Sequence, residues 1–166
     1  MIRLVIDMMG GDNGTKATIG AVKRFLSTVN DAEIIAVGDE KELEELKDKA
    51  IIVPSSTIAP MECSVLQAMR DKESSVYKAV KSVIDYKANG VISAGSTGAF
   101  FALVTLIIKK MEGVERPALI TPFPTLKENK YAVLLDVGAS NENTPNELVQ
   151  FAKMGQAYYK AVYNKE

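Results

Sequence analysis

Val91-Ile92-Ser93-Ala94-Gly95-Ser96-Thr97-Gly98-Ala99-Phe100-Phe101-Ala102-Leu103 reads as a strand, a turn of small residues and an apolar helix, in that order. The β-branched Val91 and Ile92 suit a strand. Gly95, Gly98 and the hydroxyls of Ser93, Ser96 and Thr97 suit a tight turn that opens a helix. The apolar run that follows, Ala99–Ile108, falls short of the roughly 20 residues a bilayer span needs. It predicts a buried helix over Ala99–Lys110.

The same succession recurs upstream. Ile2–Ile6 is apolar enough for a strand and leads through Asp7-Met8-Met9-Gly10-Gly11-Asp12-Asn13-Gly14 into Thr15–Leu26, where Ile19, Val22 and Leu26 recur at helical spacing. Glu33–Val37 predicts a second strand. Asp39 is placed to cap a helix over Glu40–Lys49 with Leu43 and Leu46 as its apolar stripe. Ala50–Val53 predicts a third strand, stopped by Pro54, and Pro54–Ser64 an irregular loop. Helices are expected over Val65–Arg70 and Ser74–Lys87, the latter ended by Asn89-Gly90. Further strands are expected at Ala118–Thr121 and Lys130–Leu135, and a last helix from Pro145 to about Val162 with Pro145 in its first turn.

Strands alternate with helices, and several strands are continuous apolar runs, the pattern of a sheet buried on both faces. The fold class expected is α/β: a three-layer α/β/α sandwich with a mostly parallel sheet, formed by residues 1–166 as a single domain. The 166 residues suit that count, since domains commonly run to roughly 100–200 residues.

Composition removes several chemistries. The chain has no histidine, which excludes Ser–His–Asp and Cys–His catalysis and any His-ligated metal site. Its single cysteine, Cys63, cannot form an internal disulfide and reads as a spectator thiol in a reducing compartment. A net charge of −1 carries no footprint for nucleic acid. No basic-then-apolar leader is visible at the start, so a cytoplasmic protein is expected. No metal and no cofactor is expected.

Three glycine-rich turns follow predicted strands: Asp7–Gly14, Ser93–Gly98 and Asp136–Ser140. Ligands of open α/β sheets bind outside the carboxyl ends of the strands, so these turns are expected to share one rim. In the central turn, glycines admit close backbone approach and the next helix offers unpaired N–H groups, which together favour phosphate. The expected phosphate-binding residues are Ser93, Gly95, Ser96, Thr97 and Gly98, helped by Arg70. Arg70 and Lys72 stand just before Ser74-Ser75, a basic pair beside hydroxyls that could clamp an anion, although Lys72 is as readily a solvated surface charge. The turn lacks the Gly-Lys-Ser/Thr ending of a P-loop, and the adjacent Gly10 and Gly11 break the dinucleotide pattern. Asp7, Asp12 and Asp136 are the candidate catalytic carboxylates, read as organisers of the rim rather than bases; turn and cap bonding is an equally open role for them. Gly10, Gly11, Asn13, Gly138, Ala139 and Ser140 complete the expected substrate-binding rim.

Five motifs in order resemble the PlsX-type phosphate acyltransferases, a family of fatty acid and phospholipid synthesis proteins. Asp7-Met8-Met9-Gly10-Gly11-Asp12 is similar to that family's Asp-Ala-Met-Gly-Gly-Asp, and Ser93-Ala94-Gly95-Ser96-Thr97-Gly98-Ala99 to its Ser-Ala-Gly-Asn-Thr-Gly-Ala. Arg116-Pro117-Ala118, Leu135-Asp136-Val137-Gly138-Ala139-Ser140 and Leu148-Val149-Gln150-Phe151-Ala152 with Met154-Gly155 complete the set. The chain departs from the pattern at Ser96 and Ser140, where the family carries asparagine, and at Glu62-Cys63-Ser64. It resembles the N-terminal half of the family's usual length.

The resemblance implies an isocitrate dehydrogenase-like sandwich and an acyltransferase. That enzyme moves a fatty acyl group from acyl carrier protein to inorganic phosphate, giving acyl phosphate for phospholipid synthesis. It also implies a homodimer and a peripheral membrane association. Two other readings stay open: a phosphotransferase binding magnesium-ATP at Asp7 and Asp136, and a truncated domain that binds a partner or acyl carrier protein without turnover.

Overall fold

The computed structural model describes residues 1–164, and the chain forms two compact units, Met1–Lys109 and a second that begins at Lys110.

The first unit is built on four parallel strands: β1 (Ile2–Asp7), β2 (Ala32–Gly38), β3 (Ile51–Pro54) and β4 (Gly90–Ile92), in the order β3-β2-β1-β4. Its helices are α1 (Gly14–Leu26), α2 (Val65–Arg70), α3 (Ser75–Asp85) and α4 (Thr97–Leu103). The reason for the layering is legible in β2. Ile34, Ile35, Ala36 and Val37 are all fully buried, and alternate side chains of a strand point to opposite faces. Ile34 and Ala36 pack with Ile19 and Val22 of α1 and with Met8, Leu43 and Leu46. Ile35 and Val37 pack with Val5 and with Ala79 of α3. The sheet is therefore covered on both faces, as the continuous apolar run requires.

A third apolar cluster, Ala68, Val76, Val80, Ala99 and Leu103, joins α2, α3 and α4. The chain steps outward from β1 to β2 to β3, then returns to the far side of β1 to lay down β4. Right-handed crossovers running in opposite directions put their helices on opposite faces, and α1 and α3 obey this. The order of the strands thus reverses between β1 and β4.

Several local expectations are corrected. Glu40–Lys49 is not an α-helix but a string of turns around one 3-10 turn, Glu44–Leu46. Asp39 does cap it, its Oδ1 accepting from the N–H of Lys41 at 2.8 Å and of Glu42 at 3.3 Å. The stretch has only Leu43 and Leu46 to bury, and their spacing of three aligns them in a 3-10 turn, where i and i+3 eclipse. The predicted helix after Gly98 starts at Thr97, is α-helical through Leu103, and widens to a π turn over Val104–Ile108, with Lys109 N–H reaching back to the Val104 carbonyl. α3 ends at Asp85, earlier than expected. The left-handed residue after it is Lys87, not Gly90, and Gly90 already belongs to β4.

The second unit pairs β5 (Ile120–Pro124) with β6 (Tyr131–Leu135) and carries α5 (Pro145–Tyr163). The first strand lies two residues later than Ala118–Thr121, and the pair is antiparallel, with Ile120 opposite Leu135 and Pro124 opposite Tyr131. The connection between them is too short for the dozen or more residues a parallel crossover needs. α5 approaches β6 closely at Gly155, where a β-carbon would stand 2.8 Å from Leu135 Cδ1. Tyr131 stacks on Tyr163 at 4.8 Å between ring centroids, tying the far end of the helix to the same ribbon.

The start of α5 is a capping box. Thr144 Oγ1 accepts from the Glu147 N–H and the Glu147 carboxylate accepts from the Thr144 N–H, with Pro145 in the first turn. The bond from the Thr144 N–H, foremost, holds the Glu147 carboxyl below its ordinary 4.5, with lesser help from the Thr144 side chain and Arg116. A depressed folded-state pKa stabilises above the unfolded value and is lost as pH falls towards the folded one. The cap is therefore expected to be intact down to about pH 4.5 and to weaken below it. Thermal melts in a pH series should show the wild type and Glu147→Gln converging only in that acid range. A constant gap down to the most acid point would contradict the assignment. Among the described residues, no helix is long and apolar enough to cross a membrane.

Candidate active site

Asp7 and Ser93 are 86 residues apart in sequence and become neighbours because β1 and β4 pair in register, Ile6 beside Ile92. Asp7 is the last residue of β1 and Ser93 the first after β4, on the two sides of the point where strand order reverses. Such a reversal opens a crevice above the sheet, and it is where open α/β sheets hold ligands.

The Asp7 side chain is only 1% exposed. Its Oδ2 accepts from the Ser93 hydroxyl at 2.7 Å, and its Oδ1 from the N–H groups of Met9 and Gly10, each at 3.3 Å. Ser93 Oγ accepts in turn from the Gly95 N–H at 3.1 Å. One buried carboxylate thus folds both glycine loops over their strands and ties them together. The loops also touch directly. A β-carbon on Gly10 would stand 2.7 Å from Asp7 Oδ2 and 2.9 Å from the Gly95 nitrogen. One on Gly11, whose φ is +93°, would stand 3.0 Å from Ala94 Cβ. The glycine pair is required by loop meeting loop.

Above this tie the central turn opens α4. Ser96 is the N-cap: its Oγ accepts from the Ala99 N–H at 3.4 Å, and its carbonyl accepts from the Phe100 N–H. The amides of Thr97 and Gly98 are the helix's first two, which have no preceding turn to pair with, and both residues are exposed. A β-carbon on Gly98 would meet nothing within 4 Å. The positive end of the helix thus begins at exposed residues whose N–H groups lack an intrahelical acceptor, an arrangement that suits an anion. Of the three hydroxyls in the turn, the Ser93 proton is committed to Asp7 and Ser96 Oγ serves the cap. Thr97 keeps its hydroxyl free of either duty.

The other expected residues are placed as follows. Asp12 and Asn13 are exposed, and Asn13 stands at the N-cap of α1 without a side-chain cap bond. Arg70 closes α2 with its side chain exposed, and no bond of the Asp7–Ser93 tie involves it. In the second unit Asp136 repeats the design of Asp7. Its Oδ1 accepts from the Leu119 N–H at 2.9 Å and its Oδ2 from the Ser140 hydroxyl at 2.7 Å, while Gly138 takes φ +82° in an exposed turn with Ala139. Both aspartates have each carboxylate oxygen engaged by a donor, which is the bonding of an organiser. Among the described residues, no group of three or more Cys, Asp or Glu side chains is arranged to hold a metal ion.

One hydroxyl of the Ser74-Ser75 pair that follows Arg70 and Lys72 stands apart from the rest. Ser75, the first residue of α3, is 1% exposed and its Oγ has no hydrogen-bond partner. The basic pair beside two serines points to these hydroxyls, but which of them is buried and unpaired depends on packing that no local pattern encodes.

A family model described as "Fatty acid synthesis protein" matches residues 2–166. A protein named "Phosphate acyltransferase" from Thermodesulfovibrio yellowstonii is 40% identical over 173 residues, covering 100% of this chain and 49% of the relative. Those of Clostridium botulinum and Mycoplasma capricolum are 40% and 34% identical, covering 98% of this chain and 51% and 50% of theirs. The chain spans about half the length of the curated relatives it matches. The "EutD phosphotransacetylase from Staphylococcus aureus" has a similar fold, with a TM-score of 0.65 over 98% of this chain and 54% of that one, at 18% identity. With a parallel sheet, its glycine loops joined at the strand reversal, and a family match across almost its whole length, the chain belongs to the fatty acid synthesis protein family.

Proposed function

We propose that the protein serves the transfer of a fatty acyl group from acyl carrier protein to inorganic phosphate, yielding acyl phosphate for phospholipid synthesis. The observation that carries this reading is the strand reversal between β1 and β4, where Asp7 locks two glycine loops beside the exposed N-terminus of α4. The relatives' shared name supports the class of reaction.

The chemistry suits a chain without histidine. A phosphate oxygen is the nucleophile: it attacks the thioester carbonyl carbon, the new C–O bond forms, the C–S bond breaks, and the thiol sulfur leaves with the proton released by phosphate. No acyl group need pass through the protein. The site must supply position, together with N–H dipoles aimed at negative charge, and in acyl transfer these two effects account for much of the rate enhancement. The Thr97 and Gly98 amides and the Thr97 hydroxyl hold phosphate in this scheme. Asp7 keeps the loops that carry them rigid and takes no proton.

Gly98→Ala tests the placement, because its methyl points into open space and strains nothing. The variant is expected to melt at or slightly above the wild-type temperature, since alanine favours a helix over glycine by about 1 kcal/mol. Its methyl would occupy the space the anion needs, and the KM for phosphate is expected to rise by about tenfold or more, the scale of one lost charged hydrogen bond. The assay is phosphate-dependent thiol release from acyl carrier protein, by this chain and by a full-length relative carrying the matching change. Wild-type phosphate kinetics in a variant that folds normally would remove the ion from this loop.

A further inference from the structure

We propose that Ser75 is a further phosphate-binding residue, its hydroxyl standing on the α3 side of the Ser93–Gly98 turn at the strand reversal. The proposal rests on the phosphate-binding reading above and adds a residue outside the Ser93–Gly98 turn.

Three contacts fix where Ser75 stands. At the end of α3, the Tyr86 carbonyl accepts from the guanidinium of Arg3, near the start of β1. In its middle, Ala79 packs with Val5. α3 therefore runs antiparallel to β1, and its first turn lies at the carboxyl end of the strands. Ser75 is one turn before Ala79 on the same stripe, about 6 Å along the helix. Asp7 is two residues beyond Val5 on the same face of β1, about 6.6 Å along the strand. Val91 of β4 packs in that cluster too, which puts Ser93 on the same face again. Ser75, Asp7 and Ser93 thus share one face of the sheet at one level, at the strand reversal.

Two further features point to a ligand. The Ser75 hydroxyl is buried and unpartnered, although its neighbours Ser74 and Ser55 both donate, to the carbonyls of Asp71 and Glu73. Polar groups buried without a partner are rare and call for an explanation. A Cβ in an α-helix tilts towards the N-terminus, so this hydroxyl leans to the mouth of α3. That mouth is itself open. The Ser75 N–H is taken by the Thr57 carbonyl and the Lys78 N–H by that of Ser74, leaving the amides of Val76 and Tyr77 without a preceding turn. The first turn holds no acidic residue. A donor hydroxyl and the positive end of an eleven-residue helix converge beside the loop that offers the Thr97 and Gly98 amides. A tetrahedral anion has oxygens enough to meet both sets, and a serine hydroxyl can take any of three staggered χ1 positions to aim its donor.

The test measures binding of inorganic phosphate by calorimetry to the wild-type chain, to Ser75→Ala and to Ser82→Ala, with a thermal melt of each. Ser82 is a buried serine further along α3, away from the rim. Ser75→Ala is expected to melt at or above the wild-type temperature, because it removes an unpaired polar atom, and to bind phosphate about tenfold or more weakly. Ser82→Ala should bind as the wild type does. Equal phosphate affinity in wild type and Ser75→Ala overturns the role of Ser75 and leaves the function standing. A wild-type chain that binds no phosphate, while remaining folded, overturns both.

Discussion

Replacing Asp7 by alanine is expected to destabilise the first unit by about 3–5 kcal/mol and to abolish the proposed phosphate-dependent turnover. The side chain is buried and accepts three hydrogen bonds, from the hydroxyl of Ser93 and the amides of Met9 and Gly10. A buried donor that loses its partner costs about 1–3 kcal/mol. The two amide bonds are long at 3.3 Å, so each counts at the low end, whereas the 2.7 Å bond from Ser93 is short and charge-assisted and counts at the high end. Asp7→Asn discriminates further. Its Oδ1 can keep the two amides, but its Nδ2 can only donate to Ser93 Oγ, which already accepts from Gly95. The serine proton is left without an acceptor, and a smaller loss of about 1–2 kcal/mol follows. Urea unfolding of both variants, followed on the sheet unit, gives the order wild type, Asp7→Asn, Asp7→Ala. If Asp7 instead served chiefly as a proton acceptor, both variants would lose turnover at wild-type stability.

The role of Asp7 shows where the sequence stops being informative. Its placement after an apolar run marked it as a strand end, and Ile34–Val37 announced a strand buried on both faces. Those readings rest on period and composition, which are local. The partner of Asp7 lies 86 residues away and is chosen by the register of β1 against β4, which no local pattern encodes. The Leu43 and Leu46 pair failed for a different reason: two apolar residues three apart satisfy an α-helix and a 3-10 turn alike, and only burial decides. The direction of β5 against β6 was legible in principle, because residues 125–130 are too few for a crossover. The capping boxes at Ser64 and Thr144 were likewise written in the chain, as Ser64-x-x-Gln67 and Thr144-x-x-Glu147.

Gly10→Ala is expected to be far more damaging than Gly95→Ala or Gly98→Ala, although the latter two lie in the turn assigned to the ion. Distance from the ligand is a poor guide here; what matters is which atoms a new methyl would meet and whether they can move. At Gly95 the nearest atoms stand 3.4, 3.6 and 3.8 Å away, ordinary contact, and at Gly98 there is nothing within 4 Å. At Gly10 the methyl would meet Asp7 Oδ2 at 2.7 Å and the Gly95 nitrogen at 2.9 Å. Neither can yield cheaply, since the carboxylate oxygen is held by Ser93 and the nitrogen is backbone, itself bonded to Ser93 Oγ. Overpacking of this kind costs about 1–3 kcal/mol. The relief available is to push the two loops apart, which breaks the tie and moves the Thr97 and Gly98 amides with it. Gly10→Ala should therefore lose stability and phosphate affinity together, whereas Gly98→Ala loses affinity alone. Melting temperature and phosphate affinity measured on both variants separate the two signatures. A Gly10→Ala protein as stable as the wild type, with its phosphate affinity intact, would mean that the loops do not meet where Asp7 and Ser93 place them.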